Sequence, residues 1–434
     1  MAYPNMPNVG DRMEKMKSYA ELMHEYGANG IQEVLDKATA AVDAAIAQLQ
    51  ALPVDEALQA KEPDCLDAIK ALRTDGPRKM WKSFDAEKYR EKLRGAFYAR
   101  AAGCTLGSIV EFWPVEKMEA WAAYIGDTFP PVDYWSSISN PIQLRYNKSR
   151  CEEYTRDKLD GVPVDDDIAY TLLGLLIAED HGIDFTVDDV GKAWLKYLPY
   201  ACTAEHEALE NLKKGIAPKE AALHNNPFVQ WIGADIRSDP FAYMAPAYPE
   251  FAAKMAYHDA YVSHRRNGIY GEMFFAAAQS AAFEVDNSID AIKIGLTEIP
   301  KECSLYKDVL WALEAGKSVH NYKDARAAME EKFKGMSGVH TNNNAALTIF
   351  GLMIGGLDVT KVISEVVAMG YDNDCTAATA GSIVGAIVGA KGIPTHWYKN
   401  FNNKVHSYLN GPDTFALEDL LARYEAQAVK VWGK

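Results

Sequence analysis

The chain has 434 residues, 48% of them hydrophobic and 24% charged, the profile of an ordinary globular protein with ample core. A formal net charge of −15 argues against nucleic acid as a partner, because phosphate binding is carried by clustered Lys and Arg. The longest apolar run, around Ala377–Ala390, is short and interrupted by Gly381, Gly385 and Gly389, too short for a membrane span.

The opening Met-Ala-Tyr-Pro-Asn-Met-Pro lacks a basic region followed by an apolar stretch, so no signal peptide is expected. Cys65, Cys104, Cys151, Cys202, Cys303 and Cys375 are scattered, with no Cys-x-x-Cys pair. That pattern suits reduced thiols in a cytoplasmic protein. Residues 11–50 read as amphipathic helix, with Met13, Met16, Tyr19, Leu22 and Met23 at three- and four-residue spacing and a break at Gly27–Gly30. A stretch containing Pro53, Pro63 and Pro77 follows. Residues 1–83 are therefore expected to form a helical extension, and 84–434 one large domain.

Helical periodicity then dominates, over 86–104, 166–180, 188–198, 204–214, 250–263, 271–284 and 288–297. It continues over 305–316, 322–333, 343–355, 359–369, 375–390 and 414–431, and strand-type alternation is nearly absent. Two long aromatic-rich loops are expected, Phe112–Tyr146 and Asn225–Pro249, and ordered loops of that length usually carry function. The expected fold is all-α, with a site assembled from helix ends and loops.

Two acidic clusters each precede an apolar, helix-like run: Asp165-Asp166-Asp167 before Ile168, and Asp372-Asn373-Asp374 before Cys375. One Asp before a helix is an ordinary N-cap. A helix N-terminus supplies only about half an elementary charge, worth roughly 0.3–1 kcal/mol to an exposed anion. Five carboxylates therefore call for a cation if the two helix starts meet. Oxygen-only ligands select a hard ion, Mg²⁺, Mn²⁺ or Ca²⁺, over Zn²⁺. The Gly381-x-x-x-Gly385-x-x-x-Gly389 ridge lets a neighbouring helix approach closely, which predicts a central helix there.

Four stretches within roughly 86–400 carry a resemblance to the ADP-ribosylglycohydrolase family. Gly103-Cys104-Thr105-Leu106-Gly107-Ser108-Ile109-Val110-Glu111-Phe112 is similar to its G-x-x-L-G-x-x-x-E-F signature. Asp165–Leu173 resembles its T-D-D-T-x-M-x-L motif, and Asp372–Pro394 its closing D-x-D-T-x-A-A-x-x-G motif. Gly233-Ala234-Asp235-Ile236-Arg237 with Pro240, and Ser263-His264, are similar to its G-x-x-M-R-x-x-P and T-H elements. The resemblance implies an all-α orthogonal bundle holding two metal ions, usually Mg²⁺, between Asp165, Asp166, Asp167, Asp372 and Asp374. It further implies metal-assisted hydrolysis of an N- or O-glycosidic bond of an ADP-ribosyl or ribosyl substrate. In that reaction Glu111, Asp167 and Asp374 act in catalysis, and Gly233, Arg237, His264 and Asn343 bind substrate.

Two departures stand out. Asp165 replaces the family's Thr and adds a charge, and Cys375 replaces the Thr after the second Asp, where sulfur is a poor Mg²⁺ ligand. Water or the Thr376 hydroxyl is then expected to fill that position. The segment Ser263–Phe274 is richer than the usual element and suggests a subgroup with its own substrate, Glu272 adding an acid near the site. Trp113, Tyr134, Trp135, Trp231, Phe241 and Tyr243 are candidates to stack on a base or sugar. Two alternatives stand beside the main reading: a nucleoside or small-glycoside hydrolase, and an inactive ADP-ribose-binding relative.

Overall fold

A computed structural model describes residues 3, 4, 6–137 and 152–434. Among these residues the chain forms nineteen α-helices and one two-stranded antiparallel ribbon, Lys404–His406 with Thr414–Ala416. The all-α expectation holds, because the apolar residues recur at helical spacing nearly throughout. No helix among the described residues is long and apolar enough to cross a membrane.

The loops expected at 112–146 and 225–249 are partly helical, containing Val115–Ile125, the 3-10 turn Ile232–Arg237 and Asp239–Met244. Residues 138–146 of the first loop, and Cys151, lie outside the described residues. The other five cysteines are free thiols. Thr414–Ala416, expected to open the last helix, pairs as a strand instead, and the helix runs Leu417–Trp432.

The chain divides into two compact units, residues 1–60 and 61–434. In the first, helices Val9–Glu25 and Ile31–Gln50 flank a turn in which Gly27 and Gly30 take φ of +75° and +80°, the left-handed conformation glycine adopts without strain. The sequence-based boundary at 83/84 differs from this division by the segment 61–83. That segment is tied into the larger unit: Arg73 pairs with Glu298 and Glu250 at 2.6 Å each, and the Tyr270 hydroxyl donates to the Pro63 carbonyl at 2.6 Å. Ile69 is fully buried there.

The core of the larger unit is organised around Asn373–Val388, buried from Asn373 to Ala386, and Ala86–Ser108 beside it. Small residues let the two backbones touch. A Cβ on Gly385 would lie 2.3 Å from the Gly95 carbonyl oxygen, one on Gly381 2.4 Å from that of Ala99, and one on Gly103 2.3 Å from that of Ala377. The partners run in opposite order, so the helices are antiparallel. The expected central helix is therefore present, and its glycines are required by contact. Gly381→Leu should destabilise the protein by about 3 kcal/mol or more, since overpacking here must displace backbone. Thermal denaturation should show a fall in Tm of about 5 °C or more, and an unchanged Tm would contradict the contact.

Candidate metal and active site

The antiparallel contact carries the C-terminal end of Ala86–Ser108 to the N-terminus of Asn373–Val388. Gly107 lies so close to Asp374 that a Cβ there would sit 2.4 Å from its Cα. The chain then turns through Glu111 and Phe112, and the Phe112 N–H donates to the Tyr371 carbonyl at 2.9 Å. Phe112 and Tyr371 both have positive φ, 57° and 62°, an uncommon conformation for bulky residues, of the kind that clusters at functional sites. The turn before Asp372 is pinned by Asn373 Nδ2 on the Val367 carbonyl at 2.9 Å and Arg326 Nη1 on the Met369 carbonyl at 2.6 Å.

The first acidic cluster reaches the same place through Ser108, whose hydroxyl donates to Asp165 Oδ2 at 2.6 Å. Asp165 also N-caps the helix Asp166–His181, its Oδ1 accepting the Asp167 N–H at 3.0 Å. Asp167 is held from below by the fully buried Arg100. Its guanidinium donates to the Asp167 carbonyl at 2.9 Å and pairs with Asp239 at 3.1 Å.

Two carboxylate trios result. Oxygens of Asp165, Asp167 and Asp374 lie within 4.8 Å of one another, as do those of Glu111, Asp372 and Asp374. Ligand oxygens about 2.1 Å from Mg²⁺ or about 2.4 Å from Ca²⁺ can be separated by at most about 4.2 or 4.8 Å. Asp374 belongs to both trios. Asp166 lines the same cavity but belongs to neither trio.

The donor set fits a hard cation. Asp167 Oδ1 and Asp374 Oδ1 are buried without a hydrogen-bond partner; the nearest basic atom to Asp167 Oδ1 is Arg100 Nη2, 3.6 Å away. Burial, and then mutual repulsion, push the carboxyls up: Asp165 and Asp374 to about 6, Asp166 to about 7 and Glu111 to about 9. Asp167 and Asp372 are raised for the same two reasons. A bound cation reverses this logic by stabilising the ionised forms.

The trios sit in a cavity of about 410 Å³. Gly233 lines it, and its lack of a side chain makes room for Glu205, whose Oε1 would lie 2.2 Å from a Cβ at that position. Arg237, His264 and Asn343, expected to face the ligand, are not among the residues that line it. Arg237 is enclosed behind the wall by Asp259 at 2.6 Å, Glu205 at 3.0 Å and Glu272 at 3.3 Å. Glu272 is thus an Arg237 partner and no cavity acid. His264 is fully buried, its Nδ1 2.8 Å from the Ser263 hydroxyl, and burial and Arg237 hold it neutral. Asn343 donates to the Ser337 carbonyl at 2.8 Å, fixing the turn that presents Val339 to the cavity.

Of the candidate stacking residues, Trp231 alone lines the cavity. Tyr134, Trp135, Phe241 and Tyr243 are core residues, for example Trp135 Nε1 on the Leu106 carbonyl at 3.0 Å, and Trp113 stacks under Lys117. Cys375 is buried and belongs to neither trio, while the Thr376 hydroxyl donates to the Asp372 carbonyl at 2.9 Å.

Sequence reasoning missed Tyr170, Tyr200, Cys202, Glu205 and Tyr408 as cavity residues. Tyr200 and Tyr408 stack at 4.5 Å and 24° because Asn410 is bound to the carbonyls of Tyr197 and Lys196, joining two distant segments. No local signal marks Tyr408. Glu205 looks like one more acid on an amphipathic helix, and only its burial against Arg237 distinguishes it; burial raises it to about 7.

The sequence model of the ADP-ribosylglycohydrolase family matches residues 85–429, and no curated protein matches the chain. A solved structure described as an ADP-ribosylglycohydrolase-related protein complex is similar in fold. Its TM-score is 0.50, with 17% identity over 80% of this chain and 98% of that one. With both acidic helix starts and the all-α fold in place, the match over most of the chain is decisive: this protein belongs to the ADP-ribosylglycohydrolase family.

Proposed function

We propose that the protein is a metal-dependent hydrolase of the glycosidic bond at the anomeric carbon of a ribosyl sugar, either N- or O-linked, in a free or ADP-ribosylated substrate. The observation that carries this reading is the convergence of two carboxylate trios on Asp374 at the wall of one cavity. Bound there, two hard divalent cations, Mg²⁺ foremost with Mn²⁺ and Ca²⁺ as alternatives, would supply positive charge for sugar hydroxyls and a water.

Asp165, Asp167, Asp372 and Asp374 are the proposed ligands, with Glu111 at the edge of the second trio and Asp166 beside the first. Ser108 and Arg100 orient Asp165 and Asp167 from outside the cavity, in the manner of outer partners that fix ligand rotamers. Glu111 would accept a proton from the attacking water or donate one to the leaving group. The surrounding carboxylates would offset charge developing on an oxocarbenium-like sugar. Gly233 would let Glu205 approach the substrate, and Arg237 positions Glu205 from behind the cavity wall, itself out of reach of the substrate.

Asp167→Ala and Asp374→Ala should each lower kcat by about 10³-fold or more while leaving the far-ultraviolet circular dichroism unchanged. Hydrolysis retained with metal dependence in both variants would overturn the assignment. Metal binding has its own readout. Mg²⁺ or Mn²⁺ at about 100 times Kd should stabilise the native protein by about 2.7 kcal/mol, seen as a rise in Tm that EDTA reverses and Asp374→Ala largely abolishes. An identical rise in Asp374→Ala would place the cations elsewhere.

A further inference from the structure

The two carboxylate trios differ in how their acids are held. In the first, Asp165 caps a helix and Asp167 lies in its first turn, with Arg100 bound to the Asp167 carbonyl. In the second, Asp372 stands just before the helix Asn373–Val388, and its side chain makes no capping hydrogen bond there. Its direction is therefore set by the turn that leads into it. That turn passes through two successive residues of positive φ, Gly370 at 73° and Tyr371 at 62°. Glycine adopts this conformation freely, whereas a tyrosine keeps it only where its surroundings hold it there.

Arg326, on the helix Tyr322–Lys332, makes the contacts that hold it. Its Nη1 donates to the Met369 carbonyl at 2.6 Å, and its guanidinium lies over the Tyr371 ring, 3.9 Å from the centroid. Nε donates to Glu330 Oε1 at 2.6 Å, which fixes the plane of the group. Gly370 fits against the same guanidinium: a Cβ there would lie 3.1 Å from Arg326 Nη1 and 3.0 Å from the Trp113 carbonyl oxygen. The Tyr371 ring also packs on Gly338, where a Cβ would come within 2.9 Å of its Cδ1. The helix that carries Arg326 is itself tied down at its start. The Tyr322 N–H donates to Glu365 at 2.7 Å, and the Tyr322 hydroxyl to Glu119 at 2.6 Å.

The bracing extends to Glu111, because the Tyr371 carbonyl accepts the Phe112 N–H at 2.9 Å. One side chain thus supports the turns that carry two of the three acids of the second trio, Asp372 and Glu111.

We infer that Arg326 is a positioning residue for the second trio. By bracing Gly370 and Tyr371 it holds Asp372 and Glu111 in the arrangement that binds a divalent cation, and the first trio does not depend on it. This rests on the metal-site reading above and adds to it a residue of another helix. The contacts require arginine: a planar guanidinium donates along its edge to Met369 and Glu330 while its face covers Tyr371, and a lysine ammonium cannot make all three. Arg326→Lys keeps the positive charge, so it separates bracing from simple electrostatic support of the acids.

The test is Mn²⁺ titration of the full chain followed by electron paramagnetic resonance, which counts bound ions and registers spin coupling between neighbouring ones. The wild-type protein should bind two. In Arg326→Ala and Arg326→Lys the second ion should bind about 10–100-fold more weakly, the range for loss of an outer partner of a metal ligand, and the first should stay within about twofold. Arg326→Lys, the milder change, carries the test if Arg326→Ala fails to fold. An unchanged second affinity in Arg326→Lys overturns the inference, since charge alone would then suffice. Equal weakening of both ions overturns it too, as general loosening of the fold would produce. Either result leaves the metal-site reading intact. A wild-type protein that binds only one ion also overturns the inference, and one that binds none overturns the metal-site reading as well.

Discussion

The backbone contact between Ala86–Ser108 and Asn373–Val388 is the constraint from which the site follows. Gly95, Gly103 and Gly107 on one helix, and Gly381 and Gly385 on the other, remove the side chains that would hold the axes apart. Packing at this range is unforgiving, because neither backbone can shift without breaking its own hydrogen-bond ladder. The consequence is positional: Asp374 is set against Gly107, four residues before Glu111. Acids remote in sequence thereby become neighbours with little rotational freedom.

Such a cluster opposes folding on its own. Burial and repulsion both favour the neutral acids, and the protein answers with a shell of fixed partners that stops short of neutralising them. Ser108 and the Asp167 N–H hold Asp165, while Arg100 is shared between Asp167 and Asp239. Removing one member of such a buried pair typically costs about 3–5 kcal/mol, so this shell serves the fold as well as the cavity. Arg237 acts in the same way further from the cavity, restraining Glu205 with Asp259 and Glu272 behind it. The oxygens left unpaired, on Asp167 and Asp374, are those that point to a cation.

The two departures from the family pattern take on definite roles in this setting. Asp165 is both helix cap and acceptor for Ser108, so its extra carboxylate is built into the framework as well as into the first trio. Cys375 is buried in the central helix, outside both trios, so the replacement of an oxygen by sulfur falls outside the proposed ligand set.

The all-α class, the central glycine ridge and the two acidic helix starts were all legible before any packing was known. Each is written in local spacing: apolar residues at three and four, glycines at four, aspartates immediately before an apolar run. Gly233 was legible too, as a member of a short motif. The remaining wall came from tertiary contacts. Tyr408 reaches Tyr200 through hydrogen bonds that join segments some two hundred residues apart, as Asn410 meets Tyr197. Arg237, His264 and Asn343 show the converse, since polar residues in a recognisable motif were drawn behind the wall into buried partnerships. Motif spacing records which residues are near the site. Whether a side chain faces the cavity or supports one that does depends on where its charge finds its partners, and that is settled only when the helices have packed.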